Sequence, residues 1–488
     1  MSEINDLTPA EARVWRAFPR GGAVDFRTAD DEDASLSDGW GPERTVRASV
    51  LRALLLKAER EEGEVAALKV AGARITGVLD LRYATVDSVV RLSHCRFDDT
   101  PDLSGANLSY LNLSDSVLPG LGSARVRVDG SLRLSGCRFH GPVRLGGAQI
   151  SGALYLERTE VTAPAGPQPA LQLKHVTVED EICANGLRTH GEVRLDGATV
   201  AGSVTLDGAR LHHPGGAVLD AQTLVVEGDV LMRRVEALGW IGLGGARVAG
   251  RLDLSHTHLS NPEEAALRAS GCSFGELWLR GNASLHGRLN LRRTQVDVLF
   301  LEPDAVPDVV LLNSLVYTTL IPHEPAERRL PMLERDREGY VPHAYEQLTA
   351  AYRRIGDDRA ARLVQLAKQR RHRSTLPWYG ALWGYLQDAT VGYGFRPLRA
   401  CVWLLSLLTI GSVAYGLHPP TPLKPSEAPP FNPVFYTLDL LLPVISFGQE
   451  GAFAPEGWYQ TLSYVLIITG WILATTVLAG VSRSVSRQ

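Results

Sequence analysis

Asp439 stands in an apolar stretch, Val434 to Phe447, and a short turn, Ser446-Phe447-Gly448-Gln449, closes it. An ionisable group among apolar neighbours needs a partner or water. A tight turn containing glycine can offer backbone carbonyl oxygens, which hold a cation in place of its hydration shell. Glu450 and Glu456 come next and would draw cations toward such a turn. A second cluster, Lys368, Arg370, Arg371 and Arg373, has the opposite sign. Its expected partner is an anionic lipid surface, at about 1 kcal/mol per basic residue close to it.

Other chemistries find little to stand on. Gly242-x-Gly244 suggests a dinucleotide turn, but that fingerprint needs a third glycine three residues on, where Arg247 stands. The histidines are scattered, among them His140, His190, His212 and His213, and none has a paired ligand at i+3 or i+4. No metal site is expected. No nucleophile–base pair can be assigned, so neither a catalytic residue nor a cofactor is expected. The five cysteines form no Cys-x-x-Cys pair. A net charge of -4 gives no case for nucleic acid. The start, MSEINDLTPAEARVW, has no basic region followed by an apolar one, so no cleaved signal peptide is expected.

Two apolar runs must position the turn. Leu398 to Leu417 and Thr461 to Gly480 are each 20 residues, the first with only Arg399 and the second without charge. Each is long enough to cross a hydrocarbon core of ~30 Å as a helix. Tyr352 to Arg373 carries eight basic residues against Asp357 and Asp358, and Arg483 and Arg487 follow the second run. The connection, His418 to Gln460, is acidic. The positive-inside rule then places both termini in the cytoplasm and the loop outside. Between the runs, the 14-residue apolar core around Asp439 and Pro443 is too short to span and fits a re-entrant segment.

The middle of the chain has a different rhythm. GSLRLSGCRFH (Gly130), GPVRLGGAQIS (Gly141), GALYLERTEVT (Gly152), GEVRLDGATVA (Gly191), GSVTLDGARLH (Gly202) and GRLDLSHTHLS (Gly250) share one eleven-residue frame. Apolar residues two apart face the same side of a strand, so Leu132 and Leu134 point inward together. Cys137 and Phe139 do so again after a corner. Two rungs make a four-sided coil, and only stacked coils bury a continuous core. Roughly eighteen rungs give about nine coils and a rod of about 43 Å. The inserts APAGPQ, HHPGG and NPEE read as loops on one side. Glycine at the corner is expected to supply a positive φ. Cys95, Cys137 and Cys272 fall in the small inward slot and read as packing residues. Cys183 falls in an outward slot and Cys401 in the first apolar run.

Resemblances to known families add to this reading. DLSGANLSYLNLSDSVL spaces Leu103, Leu108, Leu113 and Leu118 five apart and resembles the pentapeptide-repeat family, which implies a right-handed, four-sided β-helix. The order of span, re-entrant segment, glycine-containing turn and span resembles the two-transmembrane pore domain of potassium-type channels. There Val444 to Gln449 stands where that family carries its filter; Gly448 is retained, while Ser446 replaces the first glycine. The string Thr390-Val391-Gly392-Tyr393-Gly394 matches the filter letters, but it precedes the first span and reads as a turn at the inner interface. The whole arrangement is similar to actinobacterial membrane proteins with a repeat-rich cytoplasmic part and two C-terminal spans, often labelled membrane-associated oxidoreductases.

The expected fold is multidomain: a helical cap (1–62), a β-solenoid (63–325), a helical basic connector (326–390) and a two-span module (391–488) with a re-entrant loop at 431–453. Pro342 to Arg373 resembles one tetratricopeptide-type helical pair, broken at Gly356-Asp357-Asp358. The functional expectation is a multi-pass protein of the inner membrane whose cytoplasmic solenoid senses a protein or small-molecule ligand and gates a homo-oligomeric pore. Ser446, Phe447, Gly448, Gln449 and Asp439 would line it, with Glu450 and Glu456 at its outer mouth. The alternatives are a membrane-tethered scaffold without conductance and an oxidoreductase, for which no residue speaks.

Overall fold

The computed structural model describes the chain outside residues 1–5, 29–33, 35–39, 58–62, 163–167, 282, 392–396, 425–427, 443–445 and 486–488, and outside the side chains of 383, 386–400 and 475–485. It divides into two compact units, Met1–Ala351 and Tyr352–Gln488.

The first unit is a β-solenoid of about eleven turns. Its strands pair in parallel with the coil below at a step of two rungs: Leu121 with Val143, Val128 with Ile150, Leu132 with Leu154. Four short strands fill each of the middle turns, and toward the end of the stack they fuse, as in the turn made of Glu236–Gly242 and Arg247–Asp253. Apolar columns run through the stack, one of them Leu132, Leu154, Ile182, Val204, Val230, Leu252, Leu277 and Leu299. All are buried. Ladder hydrogen bonds join coil to coil while the side chains make the dry interior. The inserts are taken up as local register shifts, after which inward residues pair again: Val143 with Leu171, Val193 with Leu219 and Ile241 with Leu267.

Corner glycines supply positive φ as expected, at Gly136, Gly147, Gly197 and Gly208 inside rungs and at Gly77, Gly191 and Gly239 at rung starts. Other rung-opening glycines, at 130, 141, 152, 202 and 250, do not have positive φ. They are needed for close approach: a Cβ at Gly141 would stand 2.4 Å from the Pro119 carbonyl oxygen, and at Gly202 2.7 Å from that of Asp180. A left-handed residue stands seventh in each rung whether or not it is glycine, as at Arg125, Gly136, Gly147, Arg158, His175, Gly186, Gly197, Gly208 and Thr223. Non-glycine residues there tend to lie beside a glycine of the next coil. Tyr83 meets Gly105, Asp115 meets Gly136, His175 meets Gly197 and His256 meets Gly281. The missing Cβ leaves room for the neighbour's larger side chain.

Both ends are closed. Helix α1 (Pro9–Ala17) starts at a Thr8 capping box with Glu11, and Glu11 also binds the Arg47 guanidinium at 2.8 Å. Helix α2 is Ala48–Lys57. The stretch expected as a helical cap also contributes strands: Ala23–Asp25 and Thr45–Arg47 pair with Ala67–Ala71 and Arg74–Thr76. Hence there are more turns than the rungs alone indicated. At the other end, Val316–Ile321 is the last strand and α3 (Ala326–Glu334) follows. Buried Arg329 donates to the Leu301 carbonyl at 3.1 Å, and Asp336 accepts the Leu312 amide at 2.9 Å. These groups satisfy a coil end that has no further coil to pair with.

Helices α4 (Pro342–Arg354) and α5 (Asp358–Arg373) come next, with Gly356 at φ +79 between them and Asp357 capping α5 through the Ala360 amide. Then follow α6 (Trp378–Val391), α7 (Pro397–Leu417), α8 (Pro433–Leu441) and α9 (Trp458–Val485). Thr390 and Val391 of the filter-like string close α6; Gly392, Tyr393 and Gly394 lie outside the described residues. Among the described residues no helix is long and apolar enough to cross a membrane. Described side chains of α7 and α9 cover only 401–417 and 458–474, each short of the ~20 residues a span needs. The two spans are thus not established by the fold.

Candidate functional site

The site is the turn after α8, and the sequence sets α8 in place locally. Asn432 caps the helix by accepting the Val434 amide at 3.0 Å, and Pro433 follows at the first helical position. Two glycines bring α7 and α9 close to it. A Cβ at Gly411 of α7 would stand 2.4 Å from Thr437 Cγ2, and one at Gly470 of α9 2.4 Å from the Leu441 carbonyl oxygen. Around them Tyr415, Tyr436, Leu440, Leu441, Phe453 and Leu466 form a buried cluster. Tyr415 meets the Tyr436 ring edge-on at 4.9 Å and donates its hydroxyl to the Tyr459 carbonyl at 3.0 Å.

Asp439, only 5% exposed, finds its partner in the turn itself. Its Oδ1 accepts the Phe447 amide at 2.5 Å; its Oδ2 accepts the amides of Gln449 at 2.7 Å and Glu450 at 3.2 Å. A carboxylate held by three amides pins the turn to the helix. In a trans peptide the carbonyl points opposite to the following N–H. The Ser446 and Gly448 carbonyls are therefore directed away from Asp439, and Ser446, Phe447 and Gly448 are exposed. Gly448 has φ +77.

Gln449 is placed differently from its neighbours. It is buried, its side-chain oxygen accepts the Asn432 amide at 3.2 Å, and its Nε2 donates to the Pro430 carbonyl at 3.2 Å. Gln449 thereby closes the base of the turn within one chain. Glu450 is exposed, and Glu456 accepts the Thr421 hydroxyl at 3.4 Å. Val444 lies outside the described residues. Lys368, Arg370, Arg371 and Arg373 belong to the end of α5, and the Arg373 guanidinium lies over the Tyr385 ring at 3.8 Å. The site thus gathers Asp439 and 446–450; the basic cluster belongs to a different part of the same unit.

Sequence reasoning missed Asn432, Gly411 and Gly470. The Asn-Pro pair was the available signal, being a helix start. The two glycines carry none, because close approach depends on the facing helix. Among the described residues no three His, Cys, Asp or Glu could hold a metal together. Cys95, Cys137 and Cys272 are buried in the solenoid, where the Cys137 and Cys272 thiols each contact a carbonyl at 2.9 Å. Burial pushes the Cys95 and Cys137 thiols up to about 12 and Cys272 up to about 11, so none is a nucleophile near neutrality. No protein-family model matches the chain, and neither a curated protein nor a solved structure matches it.

Proposed function

We propose that this is an inner-membrane protein whose α7–α9 hairpin crosses the bilayer twice, with both termini and the solenoid in the cytoplasm. Copies of the hairpin would assemble around the 446–450 turn as an ion-conducting pore of the two-transmembrane kind, gated by a protein or small-molecule ligand on the solenoid. The observation that carries this reading is the anchoring of an exposed, glycine-containing turn by buried Asp439. Its Ser446 and Gly448 carbonyls point away from Asp439, and a closed ring of copies would complete a cation's shell. The helices lend support. At 21 and 28 residues, α7 and α9 would be about 31 and 42 Å long. They leave Val402, Leu405, Ile410, Val413, Val465 and Ile468 more than half exposed, a surface suited to lipid or to a neighbouring copy. Potassium selectivity is not part of the proposal, because Ser446 replaces the glycine that a potassium filter uses.

Recording from purified protein in a planar bilayer, with its mass measured in detergent, tests this. Conductance from an oligomer supports the pore. A monomer without conductance favours a membrane-tethered solenoid scaffold, to which the closure of the turn by Gln449 within one chain also lends support. A flavin, haem or nicotinamide co-purifying would favour the oxidoreductase instead.

A further inference from the structure

We propose that the end of α5 and the exposed side of α6 form a docking surface for the phosphate headgroups of anionic lipids. The inference rests on the membrane reading above and adds a specific lipid class to it. No acidic residue occurs between Asp358 and Asp388, while Arg359, Arg362, Lys368, Arg370, Arg371 and Arg373 do. Four basic residues, Arg370, Arg371, His372 and Arg373, fill the last turn of α5, where the helix dipole favours positive charge. The chain then turns sharply. Ser374 and Thr375 donate their hydroxyls to the Arg371 and His372 carbonyls at 2.6 and 2.7 Å, and α6 begins at Trp378.

Next to this charge the surface is aromatic and apolar. Trp378 is 78% exposed, Tyr379 65%, Leu382 64% and Tyr385 60%. Trp378 meets Tyr379 edge-on at 6.0 Å, and Arg373 over Tyr385 ties the two helices' side chains together. Guanidinium groups grip phosphate oxygens in pairs, while tryptophan and tyrosine settle at headgroup depth and leucine just below it. A single-stranded nucleic acid also stacks its bases on aromatic rings, but it needs basic residues along a groove that tracks its backbone. Here the basic residues are concentrated at the end of one helix and the apolar flank is present. A bilayer surface satisfies both halves.

The test uses the full chain in neutral detergent, titrated by calorimetry with short-chain phosphatidylglycerol or phosphatidylcholine. Phosphatidylglycerol should bind and phosphatidylcholine should not. Replacing Arg370, Arg371 and Arg373 together by glutamine should weaken phosphatidylglycerol binding about 100-fold. Replacing Arg359 and Arg362, at the start of the same helix, should change it by less than about threefold, since charge effects fade beyond a Debye length. Trp378→Ser, which alters no charge, should also weaken binding. Equal binding of the two lipids, equal losses in the two arginine variants, or displacement by inorganic phosphate at matching concentration would each overturn the proposal. The membrane reading is checked separately. If carbonate washing releases the wild-type chain from cell membranes, that reading fails, while the detergent titration still decides the lipid site.

Discussion

Asp439 is the residue on which the turn depends, and Asp439→Asn alters it with almost no change in shape. The amide group would point a donor at the Gln449 and Glu450 N–H groups, which now have an acceptor. We expect a local loss of about 3 kcal/mol, since hydrogen bonds to a charged acceptor are worth ~1.5–3 and a buried donor left unmade costs as much again. Amide exchange at Phe447, Gln449 and Glu450 should quicken while solenoid amides keep their protection; unchanged exchange at those three would mean that Asp439 does not hold the turn. The buried thiols give a second expectation at this scale. Their folded values lie above the ordinary 9.0, so the stabilisation is complete below about pH 9 and falls as pH rises toward about 12. The urea midpoint of the solenoid should be flat to pH 9 and then decline, less steeply in Cys137→Ala. Water-soluble thiol reagents should reach Cys95, Cys137 and Cys272 only on unfolding.

At the scale of elements, the corner is the feature that composition hides. The inward residues were legible because strands repeat every two positions and the rung every eleven. The seventh position was not, since Gly, Arg, His, Asp, Thr and Tyr all occupy it. What they share is a backbone angle, which leaves no mark on residue type. Gly208 isolates that angle: φ is +66, and a Cβ would meet nothing within 4 Å. Gly208→Val should destabilise the solenoid by about 1–2 kcal/mol through backbone strain alone. Equal urea midpoints for variant and wild type would show that a valine tolerates this corner. The start of α8 left a signal in Asn432-Pro433 that the sequence reading passed over, and the partners of Asp439 left none. They depend on the chain returning eight to eleven residues later, and no local pattern encodes that return.

For the whole molecule, the two units should be probed apart, the solenoid by its ends above all. Its coils contact only their neighbours, so a lost cap should unravel the stack from one side. Asp336→Ala removes the acceptor for the Leu312 and Glu338 amides, each at 2.9 Å. We expect about 3 kcal/mol of local destabilisation. Exchange should rise first at Val309–Leu311 and Val316–Ile321, with Ala23–Asp25 unaffected; uniform loss along the stack would contradict neighbour-only coupling. The first coil escaped sequence reading because its strands are three residues long and lack the glycine frame. The paired corners carry one more consequence. Because a side chain regains its edge only after two rungs, the solenoid is a ruler marked in whole turns of about 4.8 Å. Excising Gly130 to Ser151 would shorten it by one division and leave every column aligned. Excising Gly130 to His140 would transpose the two edges and set large corner residues against neighbours with no room for them. Copy number in this chain can therefore change only by pairs of rungs, and its length is counted rather than continuous.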